Sequence, residues 1–141
     1  MPKLNKQQIE AIAAQGFNLY QQGKLDEAKV IFEGLTAIDS TNYMGYAGLG
    51  AVALAKEPPQ LDAALANLQK AAEINPSDPS VHANLGEALL RQAKFQEAAT
   101  EFDKALELDP QGKDPGANRA RAILTGLEVM VTEGKKVLAA A

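Results

Sequence analysis

Cysteine is absent from the 141-residue chain. Its absence excludes disulfides, zinc sites built on thiolates and cysteine nucleophiles. A surplus of positive charge is absent as well: the formal net charge at pH 7 is −4, and Lys135 and Lys136 are the only adjacent pair of basic residues. Proteins that bind nucleic acids usually carry a basic patch. We therefore expect no nucleic-acid partner.

Long apolar segments are also missing. The first fifteen residues, "MPKLNKQQIEAIAAQ", lack the apolar core of a secretory signal. The uncharged stretch Tyr43–Ala55, "YMGYAGLGAVALA", has thirteen residues, whereas a helix that spans a bilayer needs about 20. Its three glycines do not have the spacing of a phosphate-binding loop. We expect a cytoplasmic protein with no membrane segment.

Three segments of the chain are similar to one another at a nearly constant spacing. They open on glycines that lie 34 and then 36 residues apart, Gly16, Gly50 and Gly86. Each segment continues with an alanine and, four residues later, with a large apolar residue. These pairs are Ala28 and Phe32, Ala64 and Leu68, and Ala98 and Phe102. Small residues let two helices approach closely, and the large residue fills the space between them.

This pattern resembles the tetratricopeptide repeat, a helix–turn–helix unit of 34 residues. The resemblance implies an all-α protein, a right-handed superhelix of three repeats (about 9–42, 43–78 and 79–112) in a single domain over 1–141. Local signals such as Asp78–Pro79 and Asp114–Pro115 mark helix starts. They predict helices near 7–22, 25–38, 42–56, 60–73, 79–93 and 95–108.

The segment 115–139 is predicted to be a seventh helix that covers the last apolar surface of the array. Its apolar residues recur at helical spacing on one face: Ala120, Ile123, Leu124, Leu127, Met130 and Val131. An amphipathic membrane anchor is the rival interpretation. It is the weaker one, because Glu128 and Glu133 interrupt the basic residues of the polar face.

In repeats of this type the first helix of each unit lines the concave surface, which implies a groove. The predicted groove residues are Ala13, Phe17 and Tyr20 in the first repeat, Met44, Ala47, Ala51 and Leu54 in the second, and Ala83, Glu87 and Leu90 in the third. This groove is expected to be apolar in its first two repeats and more polar beyond, with Gly48 making it roomy. An exposed apolar trough marks an interaction site.

The predicted occupant of the groove is a protein or peptide client with apolar side chains, lying extended along it. Two alternatives stay open: a second copy of the chain, giving a homodimer, or burial by the chain's own residues. One subset of these repeats holds a terminal carboxylate with a clamp of lysine, asparagine and arginine. Here those positions carry Ala13, Phe17, Gly48, Ser80 and Asn84, so a charge-assisted carboxylate site is not expected.

The segments "GFNLYQQGKLDEAKVIFEGLTAIDS" and "GLGA" resemble the small bacterial type III secretion chaperones that bind hydrophobic translocator subunits. The resemblance implies that Phe17, Tyr20, Met44, Ala47, Ala51 and Leu54 contact the client. The chain departs from that family at its short N-terminal segment and in its third repeat, which is closer to a generic repeat. A generic scaffold or adaptor for another bacterial complex is the alternative function.

Catalytic residues, a metal site and a cofactor are not predicted. His82 is the only histidine, and without a nucleophile or metal ligands beside it a structural role is favoured. Glu97 and Glu101 are neighbours at i, i+4 on a face that we expect to be solvated. Tyr20 has two interpretations of equal weight, as a hydrogen-bond donor in the groove or as a core residue.

Overall fold

The computed structural model describes residues 3–140, so residues 1, 2 and 141 of the predicted domain lie outside it. Within this range the regular secondary structure is entirely α-helical, as predicted, and the helix ends lie within two residues of the predicted ones. The helices are α1 (Lys6–Gln21), α2 (Leu25–Ile38), α3 (Tyr43–Ala55), α4 (Leu61–Ile74), α5 (Pro79–Arg91), α6 (Phe95–Leu108) and α7 (Pro115–Ala140).

Consecutive helices pack as three hairpins, α1 with α2, α3 with α4, and α5 with α6. The short connections make the two helices of a hairpin antiparallel. The hairpins stack because α2 contacts α3 and α4 contacts α5. Helix α7 packs on α5 and α6, which is the place that the first helix of a fourth hairpin would take.

The first helices of the second and third hairpins, and α7, begin at side-chain caps. The carboxylate of Asp78 accepts a hydrogen bond from the Ser80 amide at 2.9 Å, with Pro79 as the first helical residue. Asp114 accepts from the Ala117 amide at 2.8 Å. Such caps satisfy amides that have no partner within the helix, and both predicted helix starts are confirmed.

The turns inside the first and third hairpins use the left-handed backbone region. Gly23, before α2, has φ 77°, and Ala93, at the same place before α6, has φ 60°. Glycine adopts this region without steric cost, whereas a residue with a Cβ is strained there. The third hairpin therefore makes the same turn as the first, at a higher conformational cost.

Three large side chains at the centre of the hairpins are fully buried, Phe32, Leu68 and Phe102. Each lies against the glycine that opens its repeat. A Cβ added to Gly16, Gly50 or Gly86 would lie 2.7, 2.5 or 2.5 Å from the large side chain. The missing glycine side chain thus provides the space for the large residue, as the repeat pattern predicts.

Phe32 occupies a second glycine site as well. A Cβ on Gly48 would lie 2.3 Å from two atoms of the Phe32 ring, so this ring from α2 packs against both α1 and α3. The expectation that Gly48 widens the groove is wrong, because the space at this glycine is filled by Phe32. The glycines of α3 accommodate core residues of the neighbouring helices.

Helix α7 covers the end of the array with its first turns only. Ala117 and Ala120 are buried, and Ile123 and Leu124 pack against the main core cluster. Met130 and Val131, which were predicted to lie on the covered face, are 70% and 57% exposed. The prediction of a cap over 115–139 is therefore correct for the first half of α7 and wrong for the second. Among residues 3–140, none of the helices is long and apolar enough to cross a bilayer.

Candidate peptide-binding groove

The predicted groove follows the first helices of the three hairpins. Helix α3 contacts α1 on one side and α5 on the other, and α5 contacts α7. These helices therefore form a continuous row, flanked by the second helices α2, α4 and α6. The central helix α3 is apolar on all sides, and such a helix is expected to be buried.

Three of the four predicted groove residues of α3 are buried by the chain itself. Ala47, Ala51 and Leu54 are only 9%, 5% and 6% exposed. Ala47 belongs to a cluster with residues of α4 and α5, and Leu54 belongs to the main core cluster. The expectation that these side chains stand open in the groove is corrected: α3 has neighbouring helices on both flanks, and they cover its small side chains.

The predicted residues that keep an accessible surface are half-buried: Phe17, Tyr20, Met44, Glu87 and Leu90. The Phe17 ring packs edge-on against Phe32, with 4.9 Å between ring centroids and an interplanar angle of 64°. Tyr20 packs against the same cluster, so it contributes to the core and also keeps part of its surface accessible. Ala13 and Ala83 are buried, so their side chains contribute almost no accessible surface to the groove.

The third-repeat end of the groove holds an ion pair. Oε1 of Glu87 lies 3.1 Å from Nε of Arg119 on α7, and Nη2 of Arg119 donates to Oδ1 of Asn84 at 3.1 Å. The Glu87 side chain is 15% exposed, so its charge is largely enclosed. Sequence reasoning found Glu87 but missed Arg119, because the contact spans more than thirty residues along the chain.

His82 joins two helices and a loop. Its Nδ1 lies 2.7 Å from Oε2 of Glu101 on α6, and its Nε2 lies 2.8 Å from the carbonyl oxygen of Pro76. Lys104 Nζ donates to the other Glu101 oxygen at 3.0 Å. The structural role predicted for His82 is consistent with its 5% exposure. The solvated face predicted for Glu101 is wrong, because the side chain is 15% exposed.

The junctions between repeats carry a recurring polar contact. The Tyr43 hydroxyl donates to Oδ2 of Asp78 at 3.0 Å, and the Ser80 hydroxyl donates to Oδ1 of Asp114 at 2.8 Å. Both acceptors also cap the following helix. Burial raises the pKa of Tyr43 above its ordinary value, and the negative charge of Asp78 raises this pKa further. The neutral phenol is therefore the form that fits the folded state.

Two family models match the chain, both described as tetratricopeptide repeats. One matches residues 60–93 and the other residues 79–111. They overlap in the third hairpin and leave the first hairpin unmatched. The repeat fold predicted from the glycine spacing is confirmed, and the third repeat is the one closest to the general pattern.

Curated proteins are similar to part of the chain. "Low calcium response locus protein H" of Yersinia pestis is 27% identical over 106 residues, which cover 75% of this chain and 62% of that protein. The chain thus spans less than two thirds of the curated relatives that it matches.

Solved structures are similar over most of the chain. The type III secretion translocator chaperone SycD of Yersinia enterocolitica is 25% identical, with a TM-score of 0.77 over 92% of this chain and 89% of that one. PcrH, known from Pseudomonas aeruginosa, in complex with the chaperone binding region of PopD is 26% identical, with a TM-score of 0.75 over 92% of this chain and 98% of that one. The resemblance to these chaperones is confirmed.

Proposed function

We propose that this repeat protein is a non-enzymatic chaperone that binds an extended, apolar segment of a hydrophobic client, in the cytoplasm and before the client is exported. The similarity to PcrH with the chaperone binding region of PopD, at 26% identity over 92% of this chain, is the observation that carries the proposal. That structure pairs the same fold with a segment of another protein.

The accessible residues of the row α1, α3 and α5 suit such a segment. Phe17, Tyr20, Met44 and Leu90 are half-buried, so each presents apolar surface while its own position is held by the core. Apolar side chains of a client would gain roughly 25 cal/mol for each Å² that they bury there. Affinity would then come from several shallow contacts along the groove.

The charges of the groove favour an internal segment of the client over its C-terminus. A terminal carboxylate needs a cationic donor that is free to bind it. Arg119, at the third-repeat end, is engaged by Glu87 and Asn84. To bind Arg119, a client carboxylate would have to displace the carboxylate of Glu87, which is largely enclosed. We therefore propose that the groove selects apolar side chains.

The contacts of His82 also support binding without catalysis. Both nitrogens of its ring lie within hydrogen-bond distance of an acceptor, Glu101 on one side and Pro76 on the other. A general base must lie within reach of a substrate proton, whereas the His82 ring is only 5% exposed and both its nitrogens face atoms of the protein itself. We propose that the His82 network holds α5 and α6 together beneath the groove.

Co-expression with hydrophobic translocator-type clients tests the proposal. We expect the protein to keep its client soluble and to co-purify with it. Met44→Glu should weaken the complex about tenfold or more, because a carboxylate would be buried against apolar side chains without a partner. Val30→Glu is the matched control, since Val30 lies on α2 outside the groove and is 68% exposed.

Two outcomes would contradict this function. If Met44→Glu and Val30→Glu bind the client equally well, the groove is not the binding site. If the protein binds a folded partner and has no effect on the solubility of any hydrophobic client, it acts as a scaffold or adaptor. Circular dichroism of both variants establishes that the helices are intact before binding is compared.

A further inference from the structure

The first-repeat end of the groove holds a tyrosine hydroxyl that the protein itself does not engage. The chain has three tyrosines, Tyr20, Tyr43 and Tyr46. The hydroxyl of Tyr43 donates to Asp78, and that of Tyr46 donates to the carbonyl oxygen of Ser40 at 3.1 Å. The Tyr20 ring packs against core residues, but its hydroxyl has no hydrogen-bond partner among residues 3–140. This O–H group is therefore available to a bound molecule.

The third-repeat end holds a second donor, the side-chain amide of Asn84. Arginine carries N–H donors and no acceptor, so the atom of Asn84 that lies 3.1 Å from Nη2 of Arg119 must be the amide oxygen. This contact fixes the orientation of the amide. The nitrogen, Nδ2, then carries two N–H groups, and it has no acceptor within the part of the chain that the structure describes.

Both donors can be reached from outside the protein. Tyr20 and Asn84 are half-buried residues. Over residues 3–140, every fully buried side-chain nitrogen or oxygen of such residues has a hydrogen-bond partner. Since the Tyr20 hydroxyl and Asn84 Nδ2 have none, these two atoms must be accessible. We name them the end donors of the groove.

The end donors are suited to a neutral acceptor. Neither the phenol nor the amide carries a charge, and a charge-assisted bond to an anion needs a cationic donor. Beside Asn84, the positive charge of Arg119 is offset by Glu87, whose carboxylate is only 15% exposed. An anion at Asn84 would be repelled by this carboxylate. A carbonyl oxygen meets no such repulsion.

An extended client segment brings carbonyl oxygens with its main chain. A main-chain carbonyl that loses water without gaining a partner costs free energy comparable to a lost hydrogen bond. The apolar residues of the groove, such as Phe17 and Met44, have no donor in their side chains. The end donors can satisfy carbonyls of the segment on either side of this apolar part.

We propose that the Tyr20 hydroxyl and the Asn84 amide bind main-chain carbonyl groups of the client, one at each end of the apolar part of the groove. This inference rests on the proposed function and adds how the client is held in position. Every residue type presents the same carbonyl, so the end donors fix the position of the segment along the groove. The choice of apolar side chains stays with residues between them, such as Met44.

Removal of one oxygen atom tests the first donor. The probe is the client segment identified by co-expression, synthesised with both ends blocked, and fluorescence anisotropy measures its dissociation constant. Tyr20→Phe should raise this constant about threefold to tenfold, the range for the loss of one hydrogen bond. Tyr46→Phe is the matched control, because the Tyr46 hydroxyl is engaged by the protein's own Ser40. It should bind the probe like the wild type.

An isosteric change tests the second donor. Asn84→Asp keeps an oxygen for Arg119 and replaces the amide nitrogen with an acceptor, so the dissociation constant should again rise about threefold to tenfold. Asn118→Asp is its matched control. Asn118 also accepts from an arginine, Arg121, but its Nδ2 already donates to the carbonyl oxygen of Gly112 at 2.9 Å. This control adds the same charge and should leave binding unchanged.

Ester bonds in the probe identify the carbonyl groups. An ester carbonyl is a weaker acceptor than that of a peptide bond, so esters at two positions of the probe should each raise the dissociation constant about threefold in the wild type. One of these effects should disappear in Tyr20→Phe and the other in Asn84→Asp. Such coupling, measured as a double-mutant cycle, assigns each carbonyl to its donor.

The outcomes separate this inference from the proposed function. If Tyr20→Phe and Asn84→Asp bind the probe like their controls while Met44→Glu weakens binding, the end donors play no part and the groove remains the binding site. The inference is also overturned if the ester effects are the same in the wild type and in both variants. If Met44→Glu binds as well as the wild type, the proposed function fails and the inference fails with it.

Discussion

Replacing Gly48 with alanine should destabilise the protein, whereas the same replacement at Gly34 should stabilise it. The new Cβ at Gly48 would lie 2.3 to 2.4 Å from three atoms of the Phe32 ring, more than 1 Å inside the ordinary contact distance of about 3.5 Å. The ring also packs against Gly16 of α1, where an added Cβ would lie 2.7 Å from it, so α1 limits how far the ring can move away from Gly48.

The magnitude follows from two opposing effects. Overpacking a core costs about 1 to 3 kcal/mol, and the confined position of Phe32 favours the upper value. Alanine gains about 1 kcal/mol over glycine in a helix. The expected net loss for Gly48→Ala is about 2 kcal/mol. At Gly34 a Cβ meets nothing within 4 Å, so only the gain of about 1 kcal/mol remains.

Urea unfolding followed by far-ultraviolet circular dichroism measures both free energies. The two variants should differ by about 3 kcal/mol, which is a difference of roughly 10 °C in melting temperature for a chain of this size. Adding Phe32→Leu to Gly48→Ala removes ring atoms at the clash, and the pair should show a coupling energy. Equal stabilisation by alanine at Gly34 and Gly48 would refute the role assigned to the Phe32 ring.

Two further predictions concern the turn before α6 and the junction between the second and third repeats. Ala93→Gly should stabilise the protein by about 0.5 to 1 kcal/mol, because it relieves the strain of a left-handed backbone. Gly23→Ala should destabilise it by a similar amount. Urea unfolding measures both changes, and a loss of stability in Ala93→Gly would contradict the strain assigned to Ala93. Tyr43 has a folded-state pKa raised above 10.0, so the folded state keeps its proton when the unfolded state has lost it. This contribution to stability is complete below about pH 10 and is lost as the pH rises through the folded pKa. The difference between absorbance titrations of the wild type and Tyr43→Phe isolates this phenol, and a midpoint at or below 10.0 would contradict its burial.

The sequence was sufficient to predict the helices because their signals are local. Caps such as Asp78 and Asp114 and the regular recurrence of glycine and large apolar residues lie within one turn or one repeat of the elements they mark. The first and last residues of α3 follow from the same repeat spacing.

The accessibility of the groove could not be predicted, because it depends on neighbours far apart in sequence. Helical spacing puts Ala47 and Leu54 on one face but does not show that other helices cover them to 9% and 6% exposure. The same limitation applies to Glu87, whose partner Arg119 belongs to another helix. For Val131, helical spacing identified an apolar face, but the prediction that this face covers the array is wrong, because Val131 is 57% exposed.

The Phe32 ring limits how freely these repeats can be exchanged. It fits a glycine of its own hairpin and a glycine of the next one, Gly16 and Gly48, so the first two hairpins are matched to each other. A transplanted second hairpin with any larger residue in place of Gly48 would collide with the first. The residue of the third hairpin that corresponds to Gly48 is Asn84. Its side chain would leave no space for a ring that packs there as Phe32 packs on Gly48. Recombination between relatives should therefore preserve the first two hairpins as one inherited block.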